Sequence, residues 1–192
     1  MDLRDAYFVD GVRTWFGKAR QDGFYWYTRA DDMVTKVMKE LVRRNPTVPW
    51  GEVDDCIMGA TTQSGDQGTT MGRTVVFTSG LPESVPGFSV DRMCAGGMTC
   101  QSIGSSYIRA GVADMIIAGG VEHMAHHPMG AGADPNPRIV TEKMVRSEAL
   151  CRRIRSTFRI SGQLEFQITY RSEPEQIDSD QIQSVAGAAH PF

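Results

Sequence analysis

The sequence predicts an α/β fold built on a mostly parallel, doubly wound sheet. Strand-like and helix-like patterns alternate between residues 6 and 120, which is the order that a parallel sheet with helical crossovers requires. The run Met115–Gly120 is apolar without interruption, as expected of a parallel strand that is covered on both faces. A chain of 192 residues is long enough for one domain with a proper core.

Four strands and three helices are predicted along this stretch. In chain order they are the strand Ala6–Val9, the helix Asp31–Arg44, the strand Val53–Gly59, the helix Met71–Thr78, the strand Phe88–Asp91, the helix Cys94–Ala110 and the strand Met115–Gly120. The first helix carries its apolar residues at the i, i+3, i+4 spacing of one buried face. It begins with two aspartates and ends with two arginines, an arrangement that suits the helix dipole.

Two further segments carry structural expectations. The helix Cys94–Ala110 is rich in glycine and serine, so we expect it to pack tightly on all sides at the centre of a layered domain. The loop Arg13–Thr28 is aromatic, and we expect most of its aromatic side chains to cover the sheet.

Composition excludes several classes of protein. The net charge of −3 indicates neither a nucleic-acid partner nor an anionic membrane. No apolar run approaches the roughly 20 residues of a membrane helix, and the charged N-terminus has no signal-peptide core. Four cysteines without short spacing do not make a disulfide framework, so they favour a reducing compartment, and the cytoplasm is the expected location.

The segment Ser89–Met98 is the strongest candidate for chemistry. Cys94 stands on a predicted strand-to-helix turn, followed closely by Gly96 and Gly97. The unpaired N–H groups and the dipole of a helix N-terminus favour a thiolate, and glycines allow backbone or ligand to approach closely. This is the arrangement of an activated nucleophile, although a lone cysteine in an apolar stretch is more often an inert buried residue.

A second motif supports the catalytic interpretation. The apolar strand Met115–Gly120 ends in a glycine pair that is followed by Glu122 and Met124. Together with Cys94 and the start Asp10–Thr14, this motif resembles the thiolase family, the acetyl-CoA acetyltransferases and 3-ketoacyl-CoA thiolases of lipid and fatty-acid metabolism. The resemblance runs from about Ala6 to about Met144.

The resemblance implies a layered thiolase-like fold of which this sequence holds the N-terminal half, and an acyltransferase mechanism. It implies that Cys94 attacks a thioester or 3-ketoacyl carbonyl and forms an acyl-thioester intermediate. The backbone N–H of Cys94 would form part of the oxyanion hole. Coenzyme A would be a substrate rather than a permanently bound cofactor, and the chain would form a homodimer or tetramer. No residue is assigned to coenzyme A binding.

The sequence also departs from the family. The histidine, asparagine and second cysteine motifs of the family's C-terminal half do not stand in it. We therefore expect a thiolase N-terminal domain at residues 1–145, including the start of a loop domain around Asp134–Pro137. Residues 146–192 would be a divergent tail, disordered or foreign to the fold, with an arginine-rich segment Arg146–Arg159 and a strand-like Leu164–Tyr170.

Two other functions stay open. The chain could be a ketoacyl-synthase-type condensing enzyme, which shares the cysteine turn, or an inactive fragment that pairs with a full-length thiolase. The histidines His123, His126 and His127 lie close together in sequence, but no recognisable ligand pattern surrounds them, so we expect no metal site.

Overall fold

The computed structural model describes residues 3–128 and the backbone of residues 165–170. Within these residues the strands are β1 (Tyr7–Val12), β2 (Asp55–Ala60), β3 (Gly87–Val90), β4 (Met115–Val121) and β5 (Glu165–Tyr170). The helices are α1 (Ala30–Arg44), α2 (Met71–Ser79) and α3 (Gly96–Arg109). The predicted elements are therefore present, with bounds that differ by at most three residues.

The strands form one mixed sheet in the order β1-β5-β4-β2-β3. β2 pairs in parallel with both β3 and β4, whereas β5 runs antiparallel to β1 and β4. The parallel register places Gly59 of β2 opposite Val90 of β3 and Gly120 of β4. The carboxyl ends of these three strands consequently meet at one edge of the sheet, where the loop that contains Cys94 begins.

Both faces of the central strands are buried, which confirms the doubly wound prediction. In β2, Cys56 and Met58 join the core that contains the apolar residues of α1 and α2, whereas Ile57 joins the opposite core with residues of α3. β4 divides in the same way, with Ile117 on the first face and Ile116 on the second. This alternation is the period-2 pattern of a strand covered on both sides.

The expectation that α3 packs on all sides is wrong for the described residues. Gly104 lies on the inner face, where an added Cβ would come within 2.7 Å of Ile116 Cγ2. On the opposite face the side chain of Met98 is 72% exposed, and Ser102 and Ser106 are exposed too. The small residues therefore serve close contact between the helix and the sheet on one side only.

The aromatic loop also differs from its expectation. Trp15, Phe16, Phe24 and Tyr27 are each about half exposed or more, and Tyr27 is 94% exposed. Tyr25 is the aromatic residue of this loop that packs against the core. Most of these rings therefore do not cover the sheet within the described residues.

The strand predicted at Leu164–Tyr170 is present as β5, between β1 and β4. It lies beyond residue 145, where we predicted that the first domain ends, and that boundary stays a prediction. The segments Asp134–Pro137 and Arg146–Arg159, and the remainder of the tail, lie outside the described residues. No helix among the described residues is both long and apolar enough to cross a membrane.

Candidate active site

Cys94 lies on a sharp turn between β3 and α3, as predicted. β3 ends at Val90, a single 3₁₀ turn spans Met93–Ala95, and α3 begins at Gly96. The thiol is solvent-exposed in the described chain. The regular helix thus begins two residues later than the predicted start, because the backbone at Met93 reverses direction before α3 can begin.

The reversal at Met93 is a strained conformation. Its φ angle is +50°, in the left-handed region that residues with a Cβ rarely adopt. The Met93 N–H donates to Oδ1 of Asp91 at 3.1 Å, which is the local side-chain hydrogen bond by which aspartate favours a turn. Cys94 follows directly, so its orientation depends on this turn.

Glycines bring the start of α3 into direct backbone contact with the sheet. An added Cβ on Gly59 would lie 2.4 Å from the carbonyl carbon of Gly96, and one on Gly120 would lie 3.3 Å from Gly97 Cα. The two motifs that carry the family resemblance, at Cys94 and at the end of β4, therefore lie side by side. This supports the prediction that the glycines after Cys94 allow close backbone approach.

Glu122 leaves the end of β4 and binds the neighbouring loop. Its Oε1 accepts the backbone N–H of Thr61 at 2.6 Å. Burial is the largest influence on this carboxyl and raises its pKa, against the opposing hydrogen bonds from Thr61. Glu122 thus joins the carboxyl ends of β2 and β4 beside the cysteine turn.

The other described cysteines have a different environment. Cys56 and Cys100 are buried, and burial raises the pKa of the Cys56 thiol far above its usual range and that of Cys100 to about 12. Buried thiols of this kind are unreactive. The difference makes Cys94 the accessible thiol among the described residues.

We expect iodoacetamide to alkylate Cys94 in the folded protein and to spare Cys56 and Cys100. The thiolate is the reactive form, and a thiol with a pKa of about 12 is almost entirely protonated at pH 8. Peptide mapping after brief labelling would locate the adduct, and labelling in urea would serve as the control in which all cysteines react. If Cys56 in the native protein were labelled to the same extent as Cys94, this would contradict the burial of the Cys56 thiol.

A cluster of histidines and one buried aspartate lies nearby, at the end of β4. The carboxylate of Asp66, whose side chain is 7% exposed, accepts hydrogen bonds from Ala30 N–H at 2.9 Å and from His126 Nδ1 at 2.8 Å. His127 Nε2 also contacts this carboxylate. The cluster thereby joins the N-terminus of α1 to the loop after β4.

The hydrogen-bond partners determine the proton positions of two rings in this cluster. His126 faces acceptors at both nitrogens, because Nε2 lies 2.6 Å from the carbonyl oxygen of Trp26 and Nδ1 faces Asp66. Two facing acceptors favour the imidazolium form of His126, in which both nitrogens donate. His123 Nε2 lies 2.9 Å from the Thr28 carbonyl oxygen, so this nitrogen also carries a proton.

These assignments leave few lone pairs for a cation. Among residues 3–128, no group of three or more His, Cys, Asp or Glu side chains is arranged to hold a metal ion. The rings instead hold the aromatic loop through the carbonyl oxygens of Tyr25, Trp26 and Thr28. A small cleft of about 20 Å³ lies between this loop and the end of β4, which is room for about one water molecule.

Three residues of this region were not identified as site residues from the sequence. Asp91 had a usable signal, because aspartate two residues before a turn residue is a common turn former. Thr62 and Asp66 had none, because their roles depend on partners that are 29 and 60 residues away.

Comparison with known proteins assigns the chain to a family. A family model for the thiolase N-terminal domain matches residues 6–159. The chain belongs to the thiolase family. The match extends beyond the motifs that carry the sequence resemblance, which ends at about Met144, and it includes the arginine-rich segment Arg146–Arg159.

Thiolases from several bacteria are similar to this chain. It is 40% identical over 137 residues to a 3-ketoacyl-CoA thiolase of Chromohalobacter salexigens, covering 71% of this chain and 35% of that protein. It is 39% identical over 142 residues to a β-ketoadipyl-CoA thiolase of Acinetobacter baylyi, covering 74% and 35%. The chain therefore matches about a third of the length of these thiolases.

The fold comparison agrees with this assignment. The structure is similar to the crystal structure of the Bacillus anthracis acetyl-CoA acetyltransferase, with a TM-score of 0.59 and 28% sequence identity. The similarity covers 65% of this chain and 30% of that protein. The prediction of a thiolase-like layered α/β fold, limited to the N-terminal part of a thiolase, is therefore confirmed for this chain.

Proposed function

We propose that this chain carries the nucleophile of a thiolase-type acyltransferase and that Cys94 is that nucleophile. The observation that supports the proposal best is the exposed thiol of Cys94 on a left-handed turn, directly before α3. The turn lies inside the residues that match the thiolase N-terminal domain. Its position at the carboxyl ends of parallel strands is where open α/β sheets bind ligands.

The local backbone suits the chemistry of an activated thiol. α3 begins two residues after Cys94, and a helix N-terminus concentrates partial positive charge that stabilises a nearby anion. The same N–H groups would stabilise an oxyanion, and we assign the backbone N–H of Cys94 to that role. The glycine contact between Gly59 and Gly96 keeps side chains away from this part of the turn.

The proposed first step is acyl transfer to Cys94. With an acetyl thioester, Sγ bonds to the carbonyl carbon, the bond to the coenzyme A sulfur breaks, and coenzyme A leaves as the thiol after protonation. With a 3-ketoacyl thioester, Sγ bonds to the keto carbon, the adjacent carbon–carbon bond breaks, and the departing acetyl thioester takes up the proton. Both routes leave an acyl-cysteine, which coenzyme A or a second acetyl thioester then consumes.

The proton of Cys94 needs an acceptor. His126 does not meet this need, because its ring nitrogens face Asp66 and the Trp26 carbonyl oxygen. His123 does not meet it either, because Nε2 faces the Thr28 carbonyl oxygen and Nδ1 accepts the backbone N–H of His126. We infer that the base is the histidine that the family resemblance places in the C-terminal half of thiolases. Coenzyme A as a substrate, assembly into a homo-oligomer and a cytoplasmic location belong to the same proposal.

We expect acetoacetyl-CoA or acetyl-CoA to add one acetyl group to this protein at Cys94. The experiment records intact mass in a Cys151→Ala background, so that no adduct on that cysteine is mistaken for one on Cys94. Cys94→Ala is the control, because it removes only the nucleophile from an exposed position.

An adduct on the parent and none on Cys94→Ala supports the proposal. An adduct on both proteins, or none on a parent that circular dichroism shows to be folded, contradicts acyl transfer to Cys94 by this chain. The second result would favour the alternative of an inactive partner of a longer thiolase. An adduct from an acyl-carrier-protein thioester alone would favour the ketoacyl-synthase alternative.

A further inference from the structure

Strained backbone is concentrated around the edge of the sheet that carries Cys94. Among the described residues with a side chain, Thr62, Thr69, Thr70 and Met93 have φ angles between +50° and +59°. A threonine in this region is a genuine outlier, because its branched Cβ crowds the backbone. Such residues persist only where their surroundings hold them, and they are found preferentially at functional sites.

Thr62 and Met93 belong to adjacent loops. Thr62 follows β2 and Met93 follows β3, and the two strands pair in parallel up to Gly59 and Val90. The loops therefore leave the same edge of the sheet side by side. A side chain between them could hold both strained residues at once.

Asp91 is that side chain. Its Oδ1 accepts the N–H of Met93 at 3.1 Å, and its Oδ2 accepts the N–H of Thr62 at 3.3 Å. The loop of Thr62 is held from the other side by Glu122, which accepts the N–H of Thr61 at 2.6 Å. One carboxylate thus joins the two left-handed residues, and one of them immediately precedes Cys94.

We propose that Asp91 is a positioning residue for Cys94. Its two hydrogen bonds hold Met93 in the left-handed conformation and so keep the exposed thiol of Cys94 in its place on the turn before α3. Without the acceptor for Met93, the turn relaxes toward ordinary backbone angles and the thiol loses that position. The inference rests on the proposed role of Cys94 as nucleophile.

Charge and geometry must be separated in the test, because Asp91 also places a negative charge near the thiol. Asp91→Asn and Asp91→Ala both remove the charge. The asparagine side-chain oxygen can still accept the Met93 N–H, whereas alanine cannot. Asp91→Glu keeps the charge but moves the carboxylate by one methylene. Because it has the same charge as the parent, the two proteins form a second charge-matched pair, which serves if Asp91→Ala does not fold.

The readout is the pH dependence of Cys94 alkylation by iodoacetamide, measured in a Cys151→Ala background. We expect Cys94 to be alkylated more slowly in Asp91→Ala than in Asp91→Asn, and more slowly in Asp91→Glu than in the parent. The expected difference within each pair is about tenfold near pH 7. Identical pH profiles within both charge-matched pairs would overturn the proposal.

Asp54 offers a matched control. Its Oδ2 accepts the N–H groups of Asp114 at 2.7 Å and Met115 at 3.0 Å, so it also joins two backbone N–H groups through one carboxylate. It lies before β2, at the opposite end of the strands from Cys94. Asp54→Asn and Asp54→Ala should leave the alkylation profile of Cys94 unchanged. If they change this profile as much as the Asp91 variants do, lost stability explains the result.

Alkylation needs no acyl donor, so this test is independent of the proposed reaction. A parent protein that fails to accept an acetyl group would contradict acyl transfer to Cys94 by this chain and still leave the comparison of Asp91 variants decisive. Where the parent is acylated, Asp91→Ala should be acylated more slowly than Asp91→Asn by a similar factor of about ten. Equal acylation rates would contradict the positioning role.

Discussion

Gly59→Ala is expected to destabilise the fold and to reduce the reactivity of Cys94 together. The added Cβ would lie 2.4 Å from the Gly96 carbonyl carbon and 2.8 Å from its Cα and its oxygen. These are backbone atoms, so no side-chain rotation relieves the clash and the start of α3 must move. Overpacking of this kind costs about 1–3 kcal/mol of unfolding free energy, and occasionally more.

The measurement combines thermal or urea unfolding with the rate of Cys94 alkylation. Gly51→Ala is the matched control, because the single neighbour within 4 Å of its added Cβ is Pro82 Cγ at 3.8 Å, an ordinary contact. We expect that control to change the unfolding free energy by no more than about 0.5 kcal/mol. If Gly59→Ala has the same unfolding free energy as the parent and its Cys94 is alkylated at the same rate, the close backbone contact between Gly59 and Gly96 is wrong.

Asp66→Ala is expected to be the most destabilising substitution of a charged residue in the described part of the chain. It leaves the His126 imidazolium without its anion and the Ala30 N–H without its acceptor in a site where Asp66 is 9% exposed. Removing one partner of a buried ion pair costs about 3–5 kcal/mol. Urea unfolding followed by circular dichroism would measure the loss.

Two pKa shifts determine the pH dependence of this loss. Burial opposes ionisation of Asp66, but hydrogen bonds from Ala30, His126 and His127 outweigh it and hold its pKa below the usual range. The stabilisation by Asp66 is therefore present above about pH 4, the pKa of an unfolded aspartate, and is lost as pH falls through the lowered value. At acidic pH the variant and the parent should converge in stability.

His126 determines the upper end of the pH range in which the contact with Asp66 stabilises the fold. Burial opposes its protonation, but the hydrogen bonds with Asp66 and the Trp26 carbonyl raise its pKa. Its contribution is complete below about pH 6.5, the pKa of an unfolded histidine, and is lost as pH rises through the raised value. The difference between parent and Asp66→Ala should thus be largest between about pH 4 and 6.5.

Asp32→Asn is the control for this prediction. Asp32 lies in the first turn of α1, the helix whose N-terminus Asp66 binds, so the substitution removes a negative charge near the same helix end. A charge at that position contributes at most about 1 kcal/mol through the helix dipole. A penalty for Asp66→Ala that matches the Asp32→Asn penalty at every pH would contradict the buried cluster.

The order and type of the elements were predictable from local pattern. The apolar spacing of α1 and the unbroken apolar run of β4 each indicate which surfaces must leave water, and the alternating pattern of residues 164–170 predicts a strand. Element bounds were less predictable, because they depend on caps and turns. The start of α3 shifted from Cys94 to Gly96 since the left-handed turn at Met93 delays the helix.

The predictions that were wrong concern side-chain exposure in α3 and in the aromatic loop. The small residues of α3 indicate close packing, but they do not say on how many sides, and Met98 is exposed. The aromatic residues of the loop before α1 indicate apolar area without saying where it goes, and Tyr27 is exposed. Both outcomes depend on which element lies opposite, and composition does not report that.

The sequence by itself determined the layered α/β class, the membership of a thiolase-like family and Cys94 as the candidate nucleophile. Each of these rests on local patterns and motifs that can be read along the chain without knowing which segments meet in space. Only the tertiary structure decided that Asp91 holds Thr62, 29 residues away, and that Asp66 holds His126, 60 residues away. Such polar contacts have no period and no composition of their own, because they exist only where the sheet brings the ends of separate strands together.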